Sequence, residues 1–319
     1  VLLDLIVNYY SPLSGDPIKD AGGPYNVIST STIASGNIAT TDINNYTLLQ
    51  PTLSQRNITK IPLTITGATT VDKVYDRTRN ATISDGILNG VLSGEDVTVN
   101  LSGLFASANA GGPYTITSTS TLTGLDAANY TLTQPILTPR SISEITLTIT
   151  GANSIDKVYD GTTNVNVIGG SLVGVVLGDI ITLTQSGIYP TKNVGGPYDV
   201  IPNFSISGSS AVNYILTQAD LAQASITPRP LTIVGSTQNK VYDGTDTATL
   251  IGGGLSGVVS GEDVVLNLIV KYSSKDAGGP YAITSTSTIS GADIANYTLI
   301  QPTLTSRSII KAPLTVSGV

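Results

Sequence analysis

The chain has 319 residues and contains no Cys, His, Met or Trp, and only 12% of its residues are charged. Without Cys or His there is no zinc site of the usual kind. Nor is there a thiol nucleophile or a Ser-His-Asp triad. No disulfide staples the fold, so each folding unit must be stable through its own core. A unit of about 84 residues is large enough for that. A chain free of Cys suits an oxidising exterior, where a stray thiol would be oxidised or mispaired. The net charge of -7 has the wrong sign for gripping a phosphate backbone. No apolar run approaches the roughly 18–20 residues that span a bilayer as a helix. Neither nucleic acid nor membrane is therefore an expected partner. Residue 1 opens in the middle of an apparent strand and no signal peptide is visible, so we expect a segment of a longer chain.

Thr, Ser, Gly and Asn dominate the remainder, with Val, Ile, Leu and 15 Tyr. Thr, Val, Ile and Tyr fit the half-buried face of a pleated strand, and strong helix formers such as Glu, Lys and Arg are scarce. The expected class is all-β, without long helices.

The sequence repeats itself, and that organises everything else. KVYDRT at 73–78 returns as KVYDGT at 157–162 and 240–245. GGPY recurs ending at Tyr25, Tyr114, Tyr198 and Tyr281, and NY recurs at Tyr46, Tyr130, Tyr214 and Tyr297. An LT pair opens each unit at Leu63, Leu147, Leu231 and Leu314. The Tyr of KVYD precedes the Tyr of GGPY by 39 residues in every full copy (75 to 114, 159 to 198, 242 to 281). Three complete repeats are thus expected at 63–146, 147–230 and 231–313, after a partial one at 1–62 and before the start of another at 314–319. The partial repeat carries two insertions, around Ser11–Ile18 and between Tyr25 and Tyr46, both with loop composition.

Within a repeat, LTIT 63–66, ATISDGIL 81–88, DVTVNLSG 96–103, YTITSTSTL 114–122, YTLTQPIL 130–137 and ISEITLTIT 142–150 read as strands. Val97, Val99 and Leu101 alternate with Asp96, Thr98 and Asn100, the period of a half-buried strand. Short strands at this spacing with Gly and Pro between them suggest an Ig-like β-sandwich per repeat, with a β-grasp-like or other small β fold as the alternative. The spacing of Leu122, Asp126 and Tyr130 looks like the E–F corner of immunoglobulin-type domains, where a Tyr hydroxyl ties back to nearby backbone. Asp42/Tyr46 and Asp293/Tyr297 repeat it, and Ser210/Tyr214 varies it. The junctions ITKIPLTIT, ISEITLTIT, ITPRPLTIV and IIKAPLTVS leave no Gly/Ser linker, and Pro62, Pro230 and Pro313 favour extended chain. Repeats joined this closely are expected to form a stiff, extended rod.

The ordered set KVYDGT, SGEDV, AGGPY, DAANYTL and ITPRPLTI resembles the YDG/MBG-type tandem repeats of large bacterial surface proteins, among them filamentous-haemagglutinin-like adhesins and giant secreted chains. The resemblance covers essentially the whole sequence. It implies an extracellular stalk, adhesin or filament module and no catalytic residues. Arg77 in place of Gly, and LGDI in place of SGED, are its small departures.

Three kinds of candidate site remain. Adjacent acids, such as Glu95/Asp96 and Glu262/Asp263, point to opposite faces of a strand and cannot flank one bond. Oxygen ligands Asp72 and Asp76, Asp156 and Asp160, and Asn239 and Asp243 lie near the repeat junctions, where calcium would stiffen a rod. The alternative for them is turn chemistry. Lys73, Glu95 and Asn129 recur as Lys157, Asp179, Asn213 and as Lys240, Glu262, Asn296. Lysine, acid and asparagine are the ingredients of an intramolecular isopeptide cross-link, which needs a desolvated amine and a protonated acid. The alternative is an edge-strand Lys that discourages sheet-to-sheet pairing. No other cofactor is expected.

The expected role is a stalk or spacer at the cell surface, not an enzyme. Its partners are neighbouring repeats, with host, prey or environmental surfaces engaged by regions outside this segment. Two further readings stand beside it: a filament whose copies associate laterally, and repeats that each bind a glycan or surface weakly.

Overall fold

The structure is a computed structural model and describes residues 2–12, 17–34, 43–316 and 318. The chain divides into two compact units, Val1–Ile145 and Thr146–Val319. It is built almost wholly from short strands in many small sheets.

The repeat at 231–313, in the second unit, illustrates the plan. Its leading strand, Arg229–Thr237, buries Leu231 and Ile233 and exposes Thr232 and Val234, the alternation its sequence dictates. That strand is central in its sheet. It runs antiparallel to Leu250–Ser256 and parallel to Tyr297–Ile300, with Leu231 opposite Leu299. The trailing strand, Arg307–Ile310, is also central, antiparallel to Gly278–Tyr281 and parallel to Lys240–Val241. Both parallel pairings join the start of the repeat to its end, so the fold closes only when distant segments meet. Two pairs complete it: Val265–Asn267 with Thr288–Ser290, and Val270–Tyr272 with Ile283–Ser285.

In the first unit, Ile61–Thr66 lies between Ile87–Asn89 and Tyr130–Thr133, and Arg140–Ser143 between Gly111–Tyr114 and Lys73–Val74. The partial repeat keeps the later part of the plan. Leu2–Asp4 pairs with Thr32–Ala34, and Gly22–Ser29 lies between Val7–Tyr10 and Arg56–Ile58. Asp42 and parts of both insertions, 13–16 and 35–42, lie outside the described residues.

The junctions are as short as the sequence implies. Ala224–Thr227 closes one repeat by pairing with Lys157–Val158 and Gly195–Tyr198. After Pro228 alone, the chain enters the leading strand of the next repeat. In the first unit Arg56–Ile58 leads into Ile61–Thr66 in the same way.

Some expected strands are broken. ATISDGIL divides into Asn80–Ala81, Ile83–Ser84 and Ile87–Asn89, because Asp85 takes a positive φ of 60° that turns the chain between the last two. YTITSTSTL divides into pieces, with Ile116–Ser118 and Thr121–Thr123 entering different sheets. Besides Ile43, helix among the described residues is confined to single 3-10 turns at Ala127–Asn129, Ala211–Asn213 and Ile294–Asn296. No helix among the described residues is long and apolar enough to cross a membrane.

Candidate functional site

The KVYD motif folds into a self-contained staple. Lys157 Nζ donates to Asp160 Oδ1 at 2.7 Å, to the Thr162 carbonyl at 2.7 Å and to Thr162 Oγ1 at 3.0 Å. Asp160 Oδ1 also accepts from the Thr162 backbone N–H and hydroxyl. Lys73 with Asp76 and Thr78, and Lys240 with Asp243 and Thr245, repeat the pattern. Each ammonium lies 5.6 Å from an aromatic ring centre, that of Phe105, Tyr189 or Tyr272, close enough for cation–π attraction. Burial pushes the Asp160 carboxyl up, but Lys157 and the Thr162 donors outweigh it and hold the group below its ordinary value. For Asp243 the Lys240 hydrogen bond dominates and the value falls to about 2.

The acid before each motif has a different task. Asp72 and Asp156 accept the backbone N–H of Ser141 and Ser225, each at 2.7 Å, and Asn239 accepts that of Ser308. They fix the trailing strand beside the KV strand. These are the turn and strand contacts that stood as the alternative to calcium for these residues. Asp72 and Asp156 are engaged by amides, Asp76, Asp160 and Asp243 by lysines, and among the described residues no group of three or more Asp or Glu gathers as a metal site.

The lysines of the isopeptide expectation enter contacts apart from those of its acids and asparagines. Lys73, Lys157 and Lys240 sit in the staple. Glu95, Asp179 and Glu262 accept from the NY tyrosines. Asn129 and Asn296 accept backbone N–H groups of Ala21 and Val194, in the preceding repeat. Asn213 is buried at the equivalent position of its repeat.

The NY tyrosine forms a corner, though not the local one expected. Tyr297 Oη accepts the Val259 N–H at 3.0 Å and donates to Glu262 Oε2 at 2.5 Å. Tyr130 does the same with Leu92 and Glu95, and Tyr214 with Val176 and Asp179. The backbone partner is 38 residues upstream, so the hydroxyl ties two turns together across the repeat. A second brace locks these turns. The Asp263 N–H donates to Asp293 Oδ2, and the Ala292 N–H donates to Asp263 Oδ2. Gly291 between them needs its φ of +126°, and a Cβ there would lie 2.2 Å from the Asp263 carbonyl.

The braced turns are also where one repeat meets the one before it. In the second unit, Glu262 of repeat 231–313 accepts from its own Tyr297 and, across the joint, from Tyr159 Oη and Lys192 Nζ (the latter at 3.0 Å). The Tyr159 and Tyr297 rings meet edge to face, 5.5 Å apart. Asn296 Oδ1 accepts the Val194 N–H at 2.9 Å. Leu231 and Tyr297 belong to the same apolar cluster as Tyr159, Tyr189, Ala224 and Ile226, so one core runs through the joint. The Glu262 side chain is only 6% exposed. Burial raises its carboxyl, but Tyr159, Tyr297 and Lys192 together hold it below its ordinary value. Burial, then Glu262, pushes the Tyr159 phenol up, and Glu262 raises the Lys192 ammonium.

The first unit holds the same joint in looser form. Lys19 lies 3.9 Å from Glu95 and 3.6 Å from Asp126. The Ala21 N–H donates to Asn129 Oδ1 at 2.8 Å, and Asn129 Nδ2 donates to Asp20.

Sequence reasoning missed the lysine before GGPY and the reach of the NY asparagine into the preceding repeat. It also missed a glutamine brace. Gln50, Gln134, Gln218 and Gln301 each donate Nε2 to a backbone carbonyl, of Ser31, Ser120, Phe204 and Ser287. The signal was present, for a Gln follows every NY at the same distance.

Fold and joint together define a class: tandem all-β repeats that each close on themselves, two of which, in the second unit, are joined through a shared core and a carboxylate clamp. The YDG domain family model matches residues 58–137, 138–221 and 227–306, and the chain belongs to the YDG domain family. No curated protein matches it. Among solved structures, the crystal structure of Drosophila N-cadherin EC1-4 aligns over 81% of this chain and 77% of that one, at 7% identity. Its TM-score is 0.23, too low to carry an argument.

Proposed function

We propose that the chain is a spacer in a large extracellular surface protein, a stalk that separates regions lying outside this segment, and not an enzyme. The observation that supports it best is the joint between repeats 147–230 and 231–313. There the trailing strand passes into the next leading strand through Pro228 alone, while Glu262 and Asn296 hold the preceding repeat. A joint with a through-running strand, a continuous core and side-chain bonds resists bending, which a spacer needs and a flexible tether does not. Small-angle scattering tests this. A version lacking residues 147–230 is expected to remain monomeric and to lose about 30–40 Å of maximum dimension, the length of roughly ten residues of strand. An unchanged maximum dimension would refute the reading, and a mass corresponding to bundles would favour a filament.

A further inference from the structure

The trailing end of repeat 231–313 presents the same surface that the preceding repeat offers at its joint. Lys275, Asp276 and Ala277 occupy the positions of Lys192, Asn193 and Val194, and Tyr242 and Gly244 those of Tyr159 and Gly161. At the joint these positions are covered. Tyr159 is 0% exposed, and a Cβ on Gly161 would lie 2.9 Å from Val259 of the following repeat. At the trailing end Tyr242 is 42% exposed, and nothing lies within 4 Å of a Cβ on Gly244. Tyr242, Asp276, Ala277, Lys311, Ala312 and Leu314 border a hollow of about 480 Å³ there.

We infer that this face is a docking surface for the leading end of another repeat of the same kind, joined in series after Pro313 and bearing a Ser-Gly-Glu-Asp turn. Three features select that occupant. Tyr242 is a phenol donor placed as Tyr159 is, and Tyr159 meets a glutamate. Lys275 supplies the ammonium that Lys192 gives Glu262 and that Lys19 brings toward Glu95. The Ala277 N–H stands where the Val194 and Ala21 N–H groups meet the asparagine of an NY turn. The tyrosine and lysine donors lie on the trailing face and the glutamate that accepts from them on the leading face. Only the asparagine amide of the NY turn donates in the opposite sense, as Asn129 Nδ2 does to Asp20. The surface is therefore heterologous, and two trailing faces do not complement each other.

The inference deepens the spacer reading and rests on its serial geometry. The test reads the face itself, whereas scattering reads length, so either can fail alone. Residues 1–313 are followed directly by a copy of 231–313, and nitration of Tyr242 by tetranitromethane is followed by peptide mass spectrometry. The expected result is a rate at least tenfold below that of the present chain, restored by Ala277→Arg. Nitration at the unextended rate, with the appended repeat folded by its amide protection, overturns the inference. A second arm appends residues 147–230, whose Asp179 replaces the glutamate. Weaker protection is expected because the carboxylate is one methylene shorter, and equal protection overturns the lysine–glutamate part.

Discussion

Lys157 is held by three oxygens within one six-residue motif and lies over the ring of Tyr189 in the same repeat, so its removal is felt within that repeat. Lys157→Met is expected to lower the stability of its repeat by about 1–3 kcal/mol, the range for hydrogen bonds to a charged group, as read by urea unfolding. The same motif sets an acid limit. A carboxyl whose pKa is lower folded than unfolded contributes stability above its unfolded value and loses it as pH falls through the folded one. Asp243 at about 2 and the lowered Asp76, Asp160 and Glu262 all have that sign. Melting temperature is therefore expected to hold above pH 5 and to fall between pH 5 and 2. A melt that does not change over that range would contradict the assignment. The motif's place in a turn was legible from its Asp-Gly. The engagement of its lysine was not, because a lysine four residues from a turn glycine reads equally well as a solvated edge residue.

At the level of the element, the leading strand is the member on which both neighbours depend. Leu231 is fully buried between two partner strands, and Leu231→Ala is expected to cost about 2–5 kcal/mol, measured by denaturant unfolding. Gly291→Ala drives a Cβ into the Asp263 carbonyl and is expected to disrupt the braced turns. Loss of amide protection at Asp263 and Ala292 would show it. At the joint, a double-mutant cycle on Tyr159→Phe and Glu262→Gln is expected to give a coupling of about 0.5–3 kcal/mol, the range for residues in one network. Additive effects would place the two residues in separate networks. The leading strand was readable from its period of two. The short strands between 80 and 89 read as one in the sequence, although the Asp85-Gly86 pair that breaks them is a local turn signal, because strand-favouring residues flank it on both sides. The parallel closures escaped for a related reason, since local pattern does not say which distant segment a strand meets.

Over the whole molecule, the repeat period and the family were plain in the sequence, because motif spacing survives without knowledge of any contact. The direction of the joint was not. It depends on Glu262 meeting Tyr159 and Lys192, residues 103 and 70 positions earlier in the chain. Stability in such a chain is expected to be a sum of repeat and neighbour terms. Glu262→Ala should therefore lower the unfolding transition of repeats 147–230 and 231–313 together, as site-resolved hydrogen exchange would show.

The through-running strand has one more consequence, and it concerns tension. Pulling on the chain draws the leading strand of repeat 231–313 towards its start and the trailing strand towards its end. Each is bonded in parallel to a strand from the other end of the repeat, Tyr297–Ile300 and Lys240–Val241. Force along the chain therefore shears both ladders lengthwise, straining their bonds together instead of opening them one by one. Such a repeat should stay folded until it yields abruptly, releasing about 25 nm of slack at the reach of an extended chain of about 84 residues.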